Sequence, residues 1–191
     1  MEADKIKESI KRAAKDLFRR YGYNKTSVNE IAKKAKIAKA TIYKYFDSKE
    51  MVLHAILMDY IRVSVDELVH NPSTATNQET YLSDLILKVS RLTYTICNEF
   101  IGWDFIRESA NAQEYLKTLS DDLENLLISS FNESSIIDPN IPQENLVFLI
   151  KSSKSIVFSF AFTAVSVGDV RKYFVSFQKE LLPYLVKATV Q

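Results

Sequence analysis

Between Thr26 and Glu50 the chain reads TSVNEIAKKAKIAKATIYKYFDSKE, and this segment leaves little freedom in how it folds. Ser27 and Glu30 form an S-x-x-E capping box, and Asp47 and Glu50 form a second box about twenty residues later. Each supplies partners for backbone N–H groups that the first turn of a helix cannot pair internally. Only a tight turn and one further short helix fit between the two signals. The spacing therefore predicts two short helices meeting at a turn, with another starting immediately afterwards. Helix 2 buries Ile31, Ala32 and Ala35, Ile37 lies in the turn, and helix 3 spans about 39–46 with Ile42 and Phe46 inwards.

Upstream, Ile6, Ile10, Ala13, Ala14, Leu17 and Phe18 recur at helical spacing with lysines and arginines opposite. Gly22 ends that first helix in an RRYGYN turn. Downstream, helix 4 runs from about 48 to 69 and spans roughly 33 Å at 1.5 Å per residue. Only three glycines occur in 191 residues, where average usage gives about a dozen. That scarcity excludes a Gly-rich phosphate loop and a hairpin-rich β fold. His70-Asn71-Pro72 and the polar run 73–78 mark a linker. Helical stretches follow at about 79–100, 102–111 and 112–132. A segment with Pro139 and Pro142 precedes a final pair at about 143–166 and 168–189, split near Gly168, and Pro183 kinks or breaks the last helix. The expected fold is all-α with about nine helices. A three-helix domain over 1–47 is joined by helix 4 to a helical domain over 48–191.

Charge divides the chain in the same way. Residues 1–50 carry 14 Lys/Arg and 7 Asp/Glu, whereas residues 51–191 carry 11 and 17. A basic module on an acidic body implies that the N-terminal part meets a polyanion. With Ile42 and Phe46 inside, helix 3 turns Lys39, Ala40, Thr41, Tyr43, Lys44 and part of Tyr45 outwards. Small residues permit close approach to a major groove, Thr41 donates or accepts, and lysines and tyrosine hydroxyls reach phosphates or base edges. Ser27 heads helix 2, and Lys49 lies in the first turn of helix 4, where the helix dipole already favours an anion. These eight residues are the candidate DNA contacts. The competing reading is a solvated basic helix with Tyr43 and Tyr45 at the edge of the core; the agreement of capping, turn and charge argues against it.

Thr26-Ser27-Val28, Ile31-Ala32, Ala35, Ile37, Thr41-Ile42-Tyr43, Tyr45-Phe46 and Ser48-Lys49-Glu50 closely resemble the N-terminal domain of the TetR (tetracycline-repressor) family of bacterial regulators. The resemblance covers roughly residues 6–60. It implies an operator-binding dimer whose last two helices from each subunit form a four-helix bundle, and a body that takes a small-molecule effector. Two positions depart from the family pattern. Lys36 stands where glycine is common in the turn, so it faces an unfavourable backbone conformation. Ala38 stands where serine or threonine is common, so it offers helix 3 no hydroxyl cap.

The body holds 16 of the 22 aromatic residues. Tyr94, Cys97, Phe100, Trp103 and Phe105 cluster, with Glu99, Asp104 and Glu108 among them. An aromatic cavity with a carboxylate suits a flat apolar ligand, including a cationic one. Tyr94, Cys97, Phe100, Trp103, Phe105, Glu108, Phe158 and Phe162 are the candidate ligand residues. Each aromatic taken singly fits a core position equally well. The last two helices are apolar over a wide arc and need two burying partners, one of them a second subunit. Phe160, Tyr173, Phe177 and Leu181 are the candidate dimer residues.

Catalytic constellations are poor. His54 and His70 are the only histidines and Cys97 the only cysteine, so neither a Cys/His zinc site nor a thiol dyad has its parts. A single Glu67-x-x-His70 pattern is half of what a di-iron bundle requires. No cofactor or metal is expected. The start of the chain lacks an apolar signal region and no run is long enough to span a bilayer, which implies a cytoplasmic location. Together these features imply a homodimeric repressor, released from a palindromic operator by a small apolar or aromatic ligand. The rival is a ligand-independent DNA-binding protein on the same scaffold, controlled by a protein partner.

Overall fold

The computed structural model describes residues 2–70, 77–102, 110–133, 136–164 and 166–191. Among them the chain is helical, without a strand. Its α-helices are α1 (Glu2–Tyr21), α2 (Val28–Ala35), α3 (Lys39–Tyr43), α4 (Lys49–His70), α5 (Gln78–Thr95), α6 (Ala110–Glu133), α7 (Gln143–Thr163), α8 (Val167–Ser176) and α9 (Leu182–Val190). Two π-helical segments, Ile96–Ile101 and Phe177–Leu181, continue α5 and α8. Residues 71–76 of the expected linker and most of the stretch expected at 102–111 lie outside the described residues. No described helix is long and apolar enough to cross a membrane.

The chain packs as two compact units. The first comprises the described residues of Met1–Tyr60 and Thr95–Glu108. Its interior is built from Ile10, Ala14 and Phe18 of α1, Ile31 and Ala32 of α2, Ile42 of α3, then Phe46, and Val52, Leu53, Ile56 and Leu57 of α4. Burying each large aliphatic or aromatic side chain contributes about 1.5–3 kcal/mol. Leu17 and Ala35, expected inside, are only half-buried, as is Ile37 in the turn. Tyr23 fills the interior instead, edge-on to Phe18 with ring centroids 5.3 Å apart. The π segment lies against α1 and buries Ile96, Cys97, Phe100 and Ile101. It closes where the Gly102 N–H donates to the Cys97 carbonyl five residues back at 2.8 Å, and the Gly102 φ of 94° is one that side-chain-bearing residues rarely adopt.

The second unit comprises the described residues of Ile61–Tyr94 and Ser109–Gln191. Here α7 packs against α6, α8 and α9. Leu116, Leu119, Leu123, Leu127 and Phe131 form the buried stripe of α6, and Leu149, Ile150, Val157 and Phe160 the buried positions that face it and its neighbours from α7. The C-terminal pair divides just before Gly168, close to the expected place, with α7 ending at Thr163 and α8 beginning at Val167. Ser166 caps α8, accepting from the Asp169 N–H at 3.2 Å, while Asp169 accepts from the Ser166 N–H at 3.0 Å. Gly168 is thus the second residue of α8. The break expected at Pro183 takes the form of the second π segment. Pro183 has no N–H to give the preceding turn, and the Leu182 N–H reaches the Phe177 carbonyl five residues back.

Candidate nucleic-acid interface

The short helix α3 is positioned from both sides. Before it, α2 opens on the expected capping box. The Ser27 N–H and hydroxyl each lie 2.7 Å from the Glu30 carboxylate, and the Glu30 N–H donates to Ser27 Oγ at 3.3 Å. Those bonds to Ser27 hold the Glu30 carboxyl below its ordinary value of 4.5. A lowered carboxyl pKa stabilises the fold above the ordinary value, and this contribution is lost as pH falls through the lowered one. Ser27 Oγ is therefore committed to the cap, with its hydrogen already donated.

The turn that follows has a Schellman geometry. Lys36 donates its N–H to the Lys33 carbonyl at 3.3 Å, and Ile37 to the Ala32 carbonyl at 3.1 Å. Lys36 sits at φ 58° and ψ 40°, left-handed as the departure from glycine requires. Ala38 caps α3 without any side-chain hydrogen bond. Lys36→Gly and Ala38→Ser should each raise unfolding free energy by about 1 kcal/mol, the first by relieving left-handed strain and the second by adding a cap. Urea titration reads this as a higher midpoint at constant slope; an unchanged midpoint in both variants contradicts the turn geometry.

Helix α3 is shorter than expected. It ends at Tyr43, and single turns bring Tyr45 and Phe46 N–H groups back to the Ile42 carbonyl, each at 3.0 Å. Ile42 and Phe46 are buried, while Lys39, Ala40, Tyr43 and Lys44 are exposed and Thr41 and Tyr45 half-exposed. The Lys39 ammonium lies 5.9 Å from the Tyr43 ring centre. One surface thus carries two ammonium groups, a phenol and a methyl-sized gap at Ala40.

Behind α3, α4 begins on Ser48 rather than Asp47, since Ser48 Oγ accepts from the Met51 N–H at 3.2 Å. Lys49 faces inwards. Its ammonium donates to the carbonyls of Tyr23 at 3.1 Å and Thr26 at 3.0 Å, and lies 4.2 Å from the Tyr23 ring centre. Burial lowers its pKa below the ordinary lysine value. Next to it, the Tyr23 hydroxyl donates to Glu50 at 2.6 Å, and Thr26 Oγ1 donates to the Gly22 carbonyl at 2.9 Å. These bonds pin the loop before α2 to the first turn after α3. Tyr23, Thr26 and Glu50 are thus positioning residues that helical periodicity does not reveal, because Tyr23 stands in a polar turn. Lys49, expected to meet a phosphate, spends two of its three ammonium donors on this staple. Lys49→Met should cost about 1–3 kcal/mol of stability, as for hydrogen bonds from a charged donor, and leave the salt slope of DNA binding nearly unchanged. A direct phosphate contact instead leaves stability alone and lowers that slope by about one.

The expected ligand cluster is divided. Trp103, Phe105 and Glu108 lie outside the described residues, as does the side chain of Phe162. Cys97 and Phe100 belong to the interior of the first unit, where Phe100 packs 5.9 Å from the Tyr60 ring. Burial pushes the Cys97 thiol up to about 12. Glu99 is exposed and paired with Arg19 at 3.2 Å. Phe158 is half-buried on α7. Tyr94, in the second unit, lines a partly open cavity of about 560 Å³ with Leu87, Arg91, Gly168, Arg171, Phe174 and Gln178. Two of the four dimer candidates have no surface to offer. Phe160 and Phe177 are 8% and 1% exposed inside the second unit, their rings 6.4 Å apart, because the apolar arc of the last helices is partly consumed by this unit's own core. Tyr173 and Leu181 are exposed, together with Phe148 and Tyr184.

Residues 10–56 match the family model of bacterial regulatory proteins, tetR family. An uncharacterized HTH-type transcriptional regulator of Bacillus subtilis (strain 168), YuxN, is 51% identical over 57 residues, 30% of this chain and 19% of that protein. The matched stretches span between 18% and 54% of the curated relatives' own lengths. Among solved structures, the TetR family repressor AlkX from Dietzia sp. strain DQ12-45-1b aligns with a TM-score of 0.60 at 16% identity, covering 97% of each chain. The regulator FadR from Bacillus subtilis, solved with stearoyl-CoA, aligns with a TM-score of 0.56 at 19% identity, covering 95% of this chain and 98% of that one. The likeness to these two structures extends the fold correspondence to 95–97% of the chain.

Proposed function

The chain belongs, through residues 10–56, to the tetR family of bacterial regulatory proteins, and we propose that it is a DNA-binding transcriptional regulator acting as a homodimeric repressor. The observation that carries this reading is the exposed Lys39–Ala40–Tyr43–Lys44 surface on a helix fixed at both ends. Affinity comes from lysine contacts to phosphate, and sequence preference from Thr41, Tyr43 and Lys44 at base edges. Ser27 and Lys49 hold this reader in place, and Tyr45 supports it from the half-buried side. The family is one of regulators, not enzymes.

Two copies of the reader require a two-fold axis. The exposed Phe148 on α7, Tyr173 on α8, Leu181 on the second π segment and Tyr184 on α9 supply apolar surface for a second subunit. Ser152, Ser155 and Ser159 recur along α7 at helical spacing and let a partner helix approach closely. The cavity bordered by Tyr94 and Phe174 favours a ligand sensor over a sealed body controlled by a protein partner. An effector held there biases α4, which contributes residues to both units, and thereby the spacing of the two readers.

Selection of bound duplexes from a random DNA pool tests the proposal. The expected product is an inverted repeat with half-site centres about one helical turn, or a multiple of it, apart. Enrichment of a single unrepeated site contradicts the dimeric reader, and no enrichment at all contradicts sequence-specific binding.

A further inference from the structure

We infer that the cavity of the second unit binds an anionic amphiphile, a small molecule with an apolar body and one carboxylate, phosphate or sulfonate group. Two helical stripes face one another across it. Leu87, Arg91 and Tyr94 recur at i, i+4 and i+7 on α5, and Gly168, Arg171 and Phe174 at i, i+3 and i+6 on α8. The apolar share of the walls is aromatic at its base. Tyr94 meets Phe174 edge-on with ring centroids 5.8 Å apart, and Phe174 meets buried Phe160 at 5.3 Å. Gly168 leaves one wall bare, and a Cβ there meets only Ser166 Oγ at 3.5 Å.

The charge is one-sided. Arg91 and Arg171 stand on opposite stripes, neither has an ion-pair partner among the described residues, and no acidic side chain is among the described residues lining the cavity. The nearest carboxylate in sequence, Asp169, is taken by the α8 cap and lies 3.8 Å from Lys172. Both arginines are exposed to solvent, and a guanidinium offers a planar fork of donors that matches a carboxylate or phosphate edge. A cationic aromatic meets two like charges here and is disfavoured. The volume of about 560 Å³ suits a ligand of drug-like size rather than an inorganic ion. Binding itself stands on this geometry; only its consequence for DNA rests on the repressor reading.

The test uses two fluorescent probes with the same apolar body, 8-anilinonaphthalene-1-sulfonate and N-phenyl-1-naphthylamine, which lacks the sulfonate. The full-length protein without DNA should bind the sulfonate at least about tenfold more tightly than the neutral probe. Arg91→Met with Arg171→Met should weaken the sulfonate about a hundredfold, as expected for losing two charge-assisted contacts, and leave the neutral probe unchanged. Gly168→Leu should abolish both by filling the cavity, with the thermal midpoint retained. Dodecanoate should compete with the sulfonate and dodecanol should not. Equal binding of the two probes, or wild-type sulfonate binding by the double arginine variant, overturns the inference. So does a shift of the double variant from dimer to monomer, which makes this face a subunit contact. Sulfonate binding that never changes DNA affinity leaves the cavity assignment standing and sinks the ligand-release part of the repressor reading.

Discussion

Leu181→Glu combined with Tyr184→Glu should leave a folded monomer whose operator affinity is at least a hundredfold below that of the wild type. The two side chains are 47% and 75% exposed in the isolated chain, so replacing them removes little packing, and surface changes of this kind stay within about 0.5 kcal/mol of wild type. In a two-fold dimer each change occurs twice, placing four carboxylates in a desolvated apolar face. Like charges brought together there cost several kcal/mol, enough to move a micromolar dimer, held by about 8 kcal/mol, towards millimolar. A monomer then meets one half-site and loses the effective concentration that tethers the second reader. Phe177→Glu is a poor substitute for this test. At 1% exposure its carboxylate enters the unit's own core and unfolds it. Sedimentation with anisotropy on a selected duplex checks the expectation. A wild-type monomer at micromolar concentration, or a dimeric double variant with undiminished binding, contradicts it.

Tyr43→Ala with Lys44→Ala should reduce operator affinity about a thousandfold or more while the fold is retained. Each base-edge or phosphate contact contributes about 1–3 kcal/mol, and a dimer loses two copies of each. Neither residue belongs to the core, Tyr43 being 45% exposed and Lys44 exposed. Circular dichroism and the thermal midpoint should match wild type, so lost binding reports lost contacts. Undiminished affinity in a folded variant refutes the placement of α3 against DNA.

How much of this is readable from residues depends on which interactions are local. The capping box at Ser27–Glu30 is local, set by residues three positions apart, and is legible in the chain, whereas the left-handed Lys36 follows from the family resemblance of the turn. The Ser166–Asp169 box is equally local, and it starts α8 at Val167, one residue before the start expected at Gly168. Lys49 shows the limit. Its sequence position in a first helical turn suits an anion, whereas its ammonium is claimed by the carbonyls of Tyr23 and Thr26, more than twenty residues away. Distant partners of that kind leave no periodic trace. The same holds for the last helices, where apolar spacing alone cannot separate Phe160 and Phe177, consumed by the unit's own core, from Tyr173 and Leu181, left on its surface. Arg91 and Arg171 were invisible as a pair because only tertiary packing brings α5 opposite α8.

Cross-linking from α3 itself tests the DNA-reading assignment most directly. Cys97 is buried and its thiol is pushed up to about 12, so it resists alkylation in the folded protein. Ala40→Cys then provides a single reactive thiol on the exposed face of α3, which a short photoactivatable reagent can label. On a selected inverted-repeat duplex, irradiation should attach the label to bases within both half-sites, symmetrically about the centre. Labelled protein that binds the duplex but cross-links only outside the half-sites, or nowhere, contradicts α3 as the reader.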